Sequence, residues 1–189
     1  MDYRRLPDED LVRRFREGEA AAFEALVERY SRSIYNFALR LLANGADAED
    51  ASQSTFVQAF ESLNRRPPAA PLRPWLFQVA HNKCIDLIRR RRTVSLSTLD
   101  ISDPEIGEVG PPDPAPLPPE IYERAELQEL LQSAIGLLPV RAREVVIMRY
   151  VNDLTFAEIG EALGIPENTA KTWFQRAKGA LREYLRGQL

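Results

Sequence analysis

Lys171, Thr172, Gln175, Arg176, Lys178 and Arg182 recur at helical spacing near the end of the 189-residue chain, with Thr169 just ahead of them. Their shared chemistry is hydrogen bonding, with no thiol or metal-binding pair among them. Gln and Arg can bond bidentately to base edges in the major groove of DNA, while Lys and Thr reach phosphates or bases. A solvated amphipathic helix in a bundle would carry similar residues, so the surrounding elements decide between the two readings.

Residues 154–186, LTFAEIGEALGIPENTAKTWFQRAKGALREYLR, predict a helix, a tight turn and a second, basic helix. In the first, Phe156, Ile159 and Leu163 recur at three and four residues and form an apolar stripe that leaves Glu158 and Glu161 outside. Gly164 falls where a helix C-terminus favours a left-handed residue. Pro166 suits the first turn of the next helix, because its missing N–H would be unpaired there anyway. Ala170, Phe174, Ala177, Leu181 and Leu185 then close over the first helix and turn the polar set to the remaining surface. The pattern is a helix-turn-helix, which favours DNA reading over a bundle face.

Other chemistries find little support. One cysteine, Cys84, excludes an internal disulfide, and one histidine, His81, leaves too few soft ligands for a usual zinc site. Their spacing, HNKC, puts both on one helical turn without completing a site, so structural or surface roles are expected, with no metal and no cofactor. The chain has no phosphate-cradling Gly-rich loop, nucleophile elbow or paired metal-binding carboxylates, which argues against an enzyme and against a small-molecule substrate. A net charge of −3 supplies no general positive field, so nucleic-acid contact must come from local basic patches. The N-terminal MDYRRLPDEDLVRRF lacks an apolar signal core. No stretch approaches the ~18–20 apolar residues that span a bilayer, so a cytoplasmic protein without membrane insertion is expected.

The elements that must position these residues predict an all-α fold of two small helical domains joined by an extended, Pro-rich acidic linker. With 44% hydrophobic residues the chain can build two small cores. Residues 1–92 make the first domain and 120–189 the second. Between them, 93–119 carries seven of the 14 prolines and no Lys or Arg, a density that neither helix nor central strand survives. Stretched as polyproline at about 3.1 Å per residue, it would span roughly 80 Å. Two modules could then grip separated parts of one duplex, unless the linker is a passive spacer.

Four helices are predicted before the linker. Asp8 caps a short one through Arg16. A long one from Glu19 to Leu42 buries Phe23, Leu26, Val27, Tyr30, Ile34, Phe37, Ala38 and Leu41, and Asn44 and Gly45 end it. Asp47 caps the third, DAEDASQSTFVQAFESL, with Ala51, Thr55, Phe56, Ala59, Phe60 and Leu63 inward and Glu49, Asp50, Gln53 and Gln58 outward. An exposed acidic start complements the helix dipole, and a protein partner is the sharper explanation. The loop NRRPPAAPLRP, with Arg65, Arg66 and Arg73, leads into WLFQVAHNKCIDLIRRRR, a helix ending in four consecutive arginines. Capping requires fewer, and phosphate binding accounts for them better.

FEALVERY, DAEDASQSTF, PWLFQVAHNKCIDLIRRRR and the helix-turn-helix, in this order around a proline-rich linker, resemble the extracytoplasmic function (group 4) sigma factors of bacterial RNA polymerase. The likeness covers roughly residues 8–92 and 125–186. It implies a chain without catalysis that binds core polymerase and promoter DNA, nucleates strand separation and leaves during elongation. It implies that Glu49, Asp50 and Gln53 meet the clamp helices of the largest polymerase subunit, while the second domain meets the flap of the second-largest. The loop from Asn64 through Arg65 and Arg66 to Arg73, together with Asn82, Arg89 and Arg90, corresponds to the part that holds the melted −10 element with a flipped-out base. Stacking and hydrogen bonds must offset the cost of extracting that base. Trp75 could stack on it, although an aromatic at the start of an amphipathic helix favours the core.

The resemblance further implies that Thr169, Lys171, Thr172, Gln175 and Arg176 read the −35 element as duplex, with Lys178 and Arg182 nearer its backbone. An anti-sigma factor that masks both domains is usual in the family. Asp100, Asp103, Glu105, Glu108 and Asp113 of the linker would mimic nucleic acid in the polymerase channel. Trp173 and His81 stand where the family commonly has arginine, which affects promoter preference more than the general role. Two alternatives compete with this reading: a conventional helix-turn-helix regulator that binds duplex DNA as a dimer, and a helical adaptor that binds only proteins.

Overall fold

Apolar residues three and four apart make one long helix the centre of the first domain. The structure, a computed structural model, describes residues 2–67, 70–97 and 130–187, with the side chains of 92–97 outside the description. Every regular element among the described residues is helical, as expected. The first domain comprises α1 (Asp8–Arg16), α2 (Ala20–Leu42), α3 (Gly45–Ser62) and α4 (Leu72–Ser97). Leu26, Tyr30, Ile34, Phe37, Ala38 and Leu41 bury one stripe of α2 against the other three helices. Phe37, fully buried, meets Phe77 of α4 edge-on at 5.7 Å between ring centres. Burial of a side chain this size contributes about 1.5–3 kcal/mol. Phe23 and Val27, expected inside, are only partly buried.

Several predicted ends move. Asp8 does not cap α1, because Pro7 holds that position and Asp8 is already helical. Its carboxylate instead accepts from Arg29 and from the Tyr30 hydroxyl, each at 2.5 Å, which ties α1 to α2. α2 stops at Leu42, where Ala43 turns left-handed with φ 50°. Asn44 then caps α3 in place of Asp47: its extended backbone lets Oδ1 accept the Asp47 N–H at 2.9 Å. Asp47 is left to pair with Arg91 of α4. Nor does α4 end at its arginines, since neither Pro nor Gly interrupts the residues that follow, and the helix continues to Ser97. Residues 93–97 of the predicted linker are therefore helical, and the rest of it, with its acidic residues, lies outside the described residues.

The second domain contains helical residues 130–136 (α5), α6 (Val140–Tyr150), α7 (Phe156–Leu163) and α8 (Glu167–Arg186). Its core joins Ile147, Leu154, Ile159, Ala170 and Phe174. Phe174 anchors α8 by meeting Tyr150 and Phe156, each at 5.3 Å. The two domains touch. α7 lies along α4 and α6 reaches α2, so the buried apolar cluster runs from one domain into the other.

Candidate nucleic-acid interface

The helix-turn-helix is α7 and α8, and its local geometry follows from a few residues. Thr155 caps α7 by accepting the Glu158 N–H at 3.2 Å, while the Glu158 carboxylate accepts the Thr155 N–H at 2.7 Å. This reciprocal pair satisfies two otherwise unpaired donors. Gly164 ends α7 in the left-handed conformation, φ 64°, as its position predicts. Pro166 stands at the cap of α8, one residue before its first turn. Gly160 is a requirement that sequence reasoning missed: a Cβ there would lie 2.8 Å from the Ile165 carbonyl oxygen. Only a residue without a side chain lets α7 approach the turn so closely, and its apolar-stripe position gives no sign of this.

Ala170, Phe174 and Ala177 bury the inner face of α8. Lys171, Thr172, Gln175, Arg176 and Arg182 are exposed on the outer surface, with Thr169 and Lys178 half-buried at its margins. Lys171 pairs with Glu167 at 2.7 Å, and the Thr172 hydroxyl donates to the Asn168 carbonyl at 2.8 Å. Trp173 is half-buried and packs against the core.

The second basic surface is the loop after α3 and the face of α4 that follows it. Arg16 of α1 donates from Nη2 to the Leu63 carbonyl at 3.1 Å and the Arg66 carbonyl at 2.5 Å, which holds the loop in place. Arg66 is 8% exposed; it donates to the Ala70 carbonyl and lies 5.3 Å above the Trp75 ring. Burial, then the nearby Arg16 charge, push its guanidinium down from its ordinary value, against the attraction of Glu161 on α7. Asn64, Arg65, Asn82, Arg89 and Arg90 are exposed, and Arg73 and Trp75 are half-buried. Asn82 and Arg89 share a groove of about 390 Å³ whose opposite wall includes Leu163 and Gly164 of the helix-turn-helix. Arg65, Arg66 and Trp75 share another of about 300 Å³ with Glu161.

His81 is 7% exposed and directed across the domain boundary: its Nε2 lies 3.0 Å from Oε1 of Glu144 on α6, a carboxylate with 0% exposure. Cys84, three residues on in α4, is a free, buried thiol. No group of side chains suited to a metal ion occurs among the described residues, nor does a helix long and apolar enough to cross a membrane.

A third surface lies on α3. Glu49, Asp50 and Gln53 are exposed together, and Val57 and Phe60 extend the same stripe at 59% and 53% exposure. Phe60 was expected inside. Its ring instead lies at the edge of Phe15 and Phe23, at 5.3 and 5.2 Å, because the space beneath is already filled by those two aromatics.

Residues 26–94 match the family described as sigma-70 region 2, and residues 128–181 match sigma-70 region 4. The ECF RNA polymerase sigma factor SigW of Bacillus subtilis is 30% identical over 177 residues, which cover 93% of this chain and 95% of that one. The RNA polymerase sigma factor CarQ of Myxococcus xanthus is 32% identical over 176 residues, 92% and 95% of the two chains. In fold the chain is similar to CnrH as seen in complex with the cytosolic domain of CnrY, with a TM-score of 0.73 at 24% identity over 96% of this chain and 99% of that one. It is also similar to the sigma factor RpoE of Bartonella quintana, seen with the anti-sigma factor NepR, with a TM-score of 0.70 at 22% identity over 87% and 96% of the chains. A helical domain with a basic loop followed by a helix-turn-helix, in the order of regions 2 and 4, thus belongs to a member of the extracytoplasmic function sigma factors, the RNA polymerase subunits that direct transcription initiation.

Proposed function

We propose that three surfaces of this sigma factor divide its work. The α3 stripe of Glu49, Asp50 and Gln53, extended by Val57 and Phe60, docks on the clamp helices of the largest polymerase subunit. Exposed carboxylates beside a half-open aromatic suit a protein partner better than they suit DNA, whose phosphates they would repel. The loop and α4 hold the melted −10 strand: Asn64, Arg65, Arg73, Asn82, Arg89 and Arg90 touch it, while Arg66 shapes the loop from beneath. Outside these, Thr169, Lys171, Thr172, Gln175 and Arg176 read the −35 duplex, with Lys178 and Arg182 on its backbone, and the second domain also meets the flap of the second-largest subunit.

The observation that carries this reading is the exposure of Gln175 and Arg176 on a helix whose opposite face is clamped by Phe174. A rigid helix with free bidentate donors is what base reading requires. The chain performs no catalysis itself and works in the cytoplasm beside the polymerase. An anti-sigma factor is a further partner, because the sigma factor RpoE, of the same fold, is held by the anti-sigma factor NepR.

Run-off transcription with purified core polymerase tests the reading. Discrete starts on genomic promoter fragments that require this protein support it. Duplex binding without any start would leave a conventional helix-turn-helix regulator.

A further inference from the structure

Arg16, the last residue of α1, belongs to none of the three surfaces, yet it is bonded to the loop that carries two of the strand residues. Its neighbours on the same helix, Arg13 and Arg14, pair with Asp10 and Glu19, at 2.5 and 3.1 Å. Arg16, half-buried, turns the other way, and its Nη2 donates to the carbonyls of Leu63 and Arg66, at 3.1 and 2.5 Å. Those carbonyls frame one turn of 3-10 helix, Leu63–Arg65, that follows α3. Carbonyls at a helix C-terminus lack partners within the helix, and one guanidinium nitrogen carries two hydrogens and can serve two of them. The bond that the turn makes for itself, from the Arg66 N–H to the Leu63 carbonyl, is long at 3.4 Å. The shorter, charge-assisted bonds from Arg16 are the stronger tie.

Asn64 and Arg65 lie between the two braced carbonyls. Both side chains are exposed, while Leu63 and Arg66 on either side are buried, at 1% and 8% exposure. The brace therefore fixes the backbone of the residues that reach outward without covering them. It also has a cost. The Arg16 charge lies close enough to oppose that of Arg66, and the Nε hydrogens of both side chains are buried without a hydrogen-bond partner among the described residues. A neutral residue at position 16 would avoid both penalties, so packing alone does not account for a guanidinium there.

We propose that Arg16 is a positioning residue for strand capture: it touches no DNA itself, and it holds the turn of residues 63–66 in the backbone conformation that presents Asn64 and Arg65 to the melted −10 strand. The inference rests on the assignment of this loop to the −10 strand. Without the brace the turn samples other conformations, and its ordering falls at the moment of capture, where it opposes binding.

Arg16→Met keeps a long side chain and removes the donors, while Arg16→Lys keeps both charge and donors. Each full-length chain is assembled with core polymerase, and fluorescence anisotropy measures its affinity for a single-stranded oligonucleotide carrying the non-template −10 element of a start mapped by run-off transcription. Arg16→Met should weaken strand binding about tenfold, the scale of one charge-assisted hydrogen bond, while −35 duplex affinity changes less than about twofold. Arg16→Lys should stay within about threefold of wild type, because one ammonium can serve both carbonyls. The salt slope of strand binding should not change, since a lost phosphate contact would lower it by about 0.7 on a single strand. In a chain already carrying Asn64→Ala and Arg65→Ala, Arg16→Met should add less than about twofold, because nothing is left to position. A slope lowered by about 0.7 would make Arg16 a phosphate contact and overturn the positioning role. Full additivity in the combined variant would overturn it as well, as would an Arg16→Lys chain as weak as Arg16→Met. So would normal strand affinity in Arg16→Met beside a clear loss in the chain carrying Asn64→Ala and Arg65→Ala. If that doubly substituted chain itself binds the strand as wild type does, the assignment of the loop fails, and the role of Arg16 with it.

Discussion

The Arg66 guanidinium lies 5.3 Å above the Trp75 ring and bonds the Ala70 carbonyl, so one buried cation fixes both sides of the loop that enters α4. A planar guanidinium can stack and hydrogen-bond at once, and an ammonium cannot. Arg66→Lys therefore keeps the charge but costs about 1 kcal/mol, from loss of the stack and of a buried hydrogen bond. Calorimetric unfolding checks the midpoint, and permanganate footprinting checks strand opening. An unchanged midpoint with normal opening would show that the stack contributes nothing.

Thr155→Ala removes one half of the reciprocal cap of α7 and should cost about 1 kcal/mol. Because Glu158 loses its hydroxyl partner as well as the backbone arrangement, the first turn of α7 should fray. Amide hydrogen exchange would locate the loss in residues 156–159. Uniform exchange changes across the second domain would instead point to a global effect.

Gln175→Ala or Arg176→Ala should cost about 1–3 kcal/mol of −35 binding and relax preference at particular bases. Lys178→Ala, at the half-buried margin of α8, should weaken every sequence alike and lower the salt slope by about one. Titrations against a base-substituted duplex series at two salt concentrations separate the cases. Equal weakening of all sequences by Gln175→Ala would remove it from the reading set.

Asp50→Ala combined with Gln53→Ala should weaken core polymerase binding by about 2 kcal/mol or more while sparing duplex binding by α8. Phe60→Ala should act in the same direction, because its exposed ring is available to a partner. Surface plasmon resonance against immobilised core gives the affinities. Unchanged affinity for both variants would move the docking surface off α3.

Cys84 offers a test of how tightly the first domain closes. Burial, then the Glu144 and Asp47 carboxylates, push its thiol up to about 12 from its ordinary value of 9.0. The folded value is the higher one, so its contribution to stability is fully present below pH 9.0 and is lost as pH rises through about 12. At neutral pH the thiol is protonated and enclosed, and iodoacetamide should label native protein at least about a hundredfold more slowly than unfolded chain. Mass spectrometry of timed samples measures the ratio, and equal rates would contradict the burial.

Much of this protein is legible along the chain because helices are local objects. The apolar stripes of α2 and α7, the left-handed Gly164 and the inner face of α8 follow from spacing of three and four residues, and the order of motifs identifies the family. Caps shifted by a few residues because neighbours compete for each role. Asp47 lost the α3 cap to Asn44, whose backbone is already extended, and Asp8 was drawn into a pair with Arg29 and Tyr30. Periodicity likewise put Phe60 in the core without knowing that Phe15 and Phe23 fill the space beneath it. The close approach at Gly160, the arginine over Trp75 and above all the pairing of His81 with Glu144 were decided by tertiary structure alone. Contacts such as the last join residues 63 positions apart on different domains, and no local spacing records which side chains meet when two preformed surfaces close on each other.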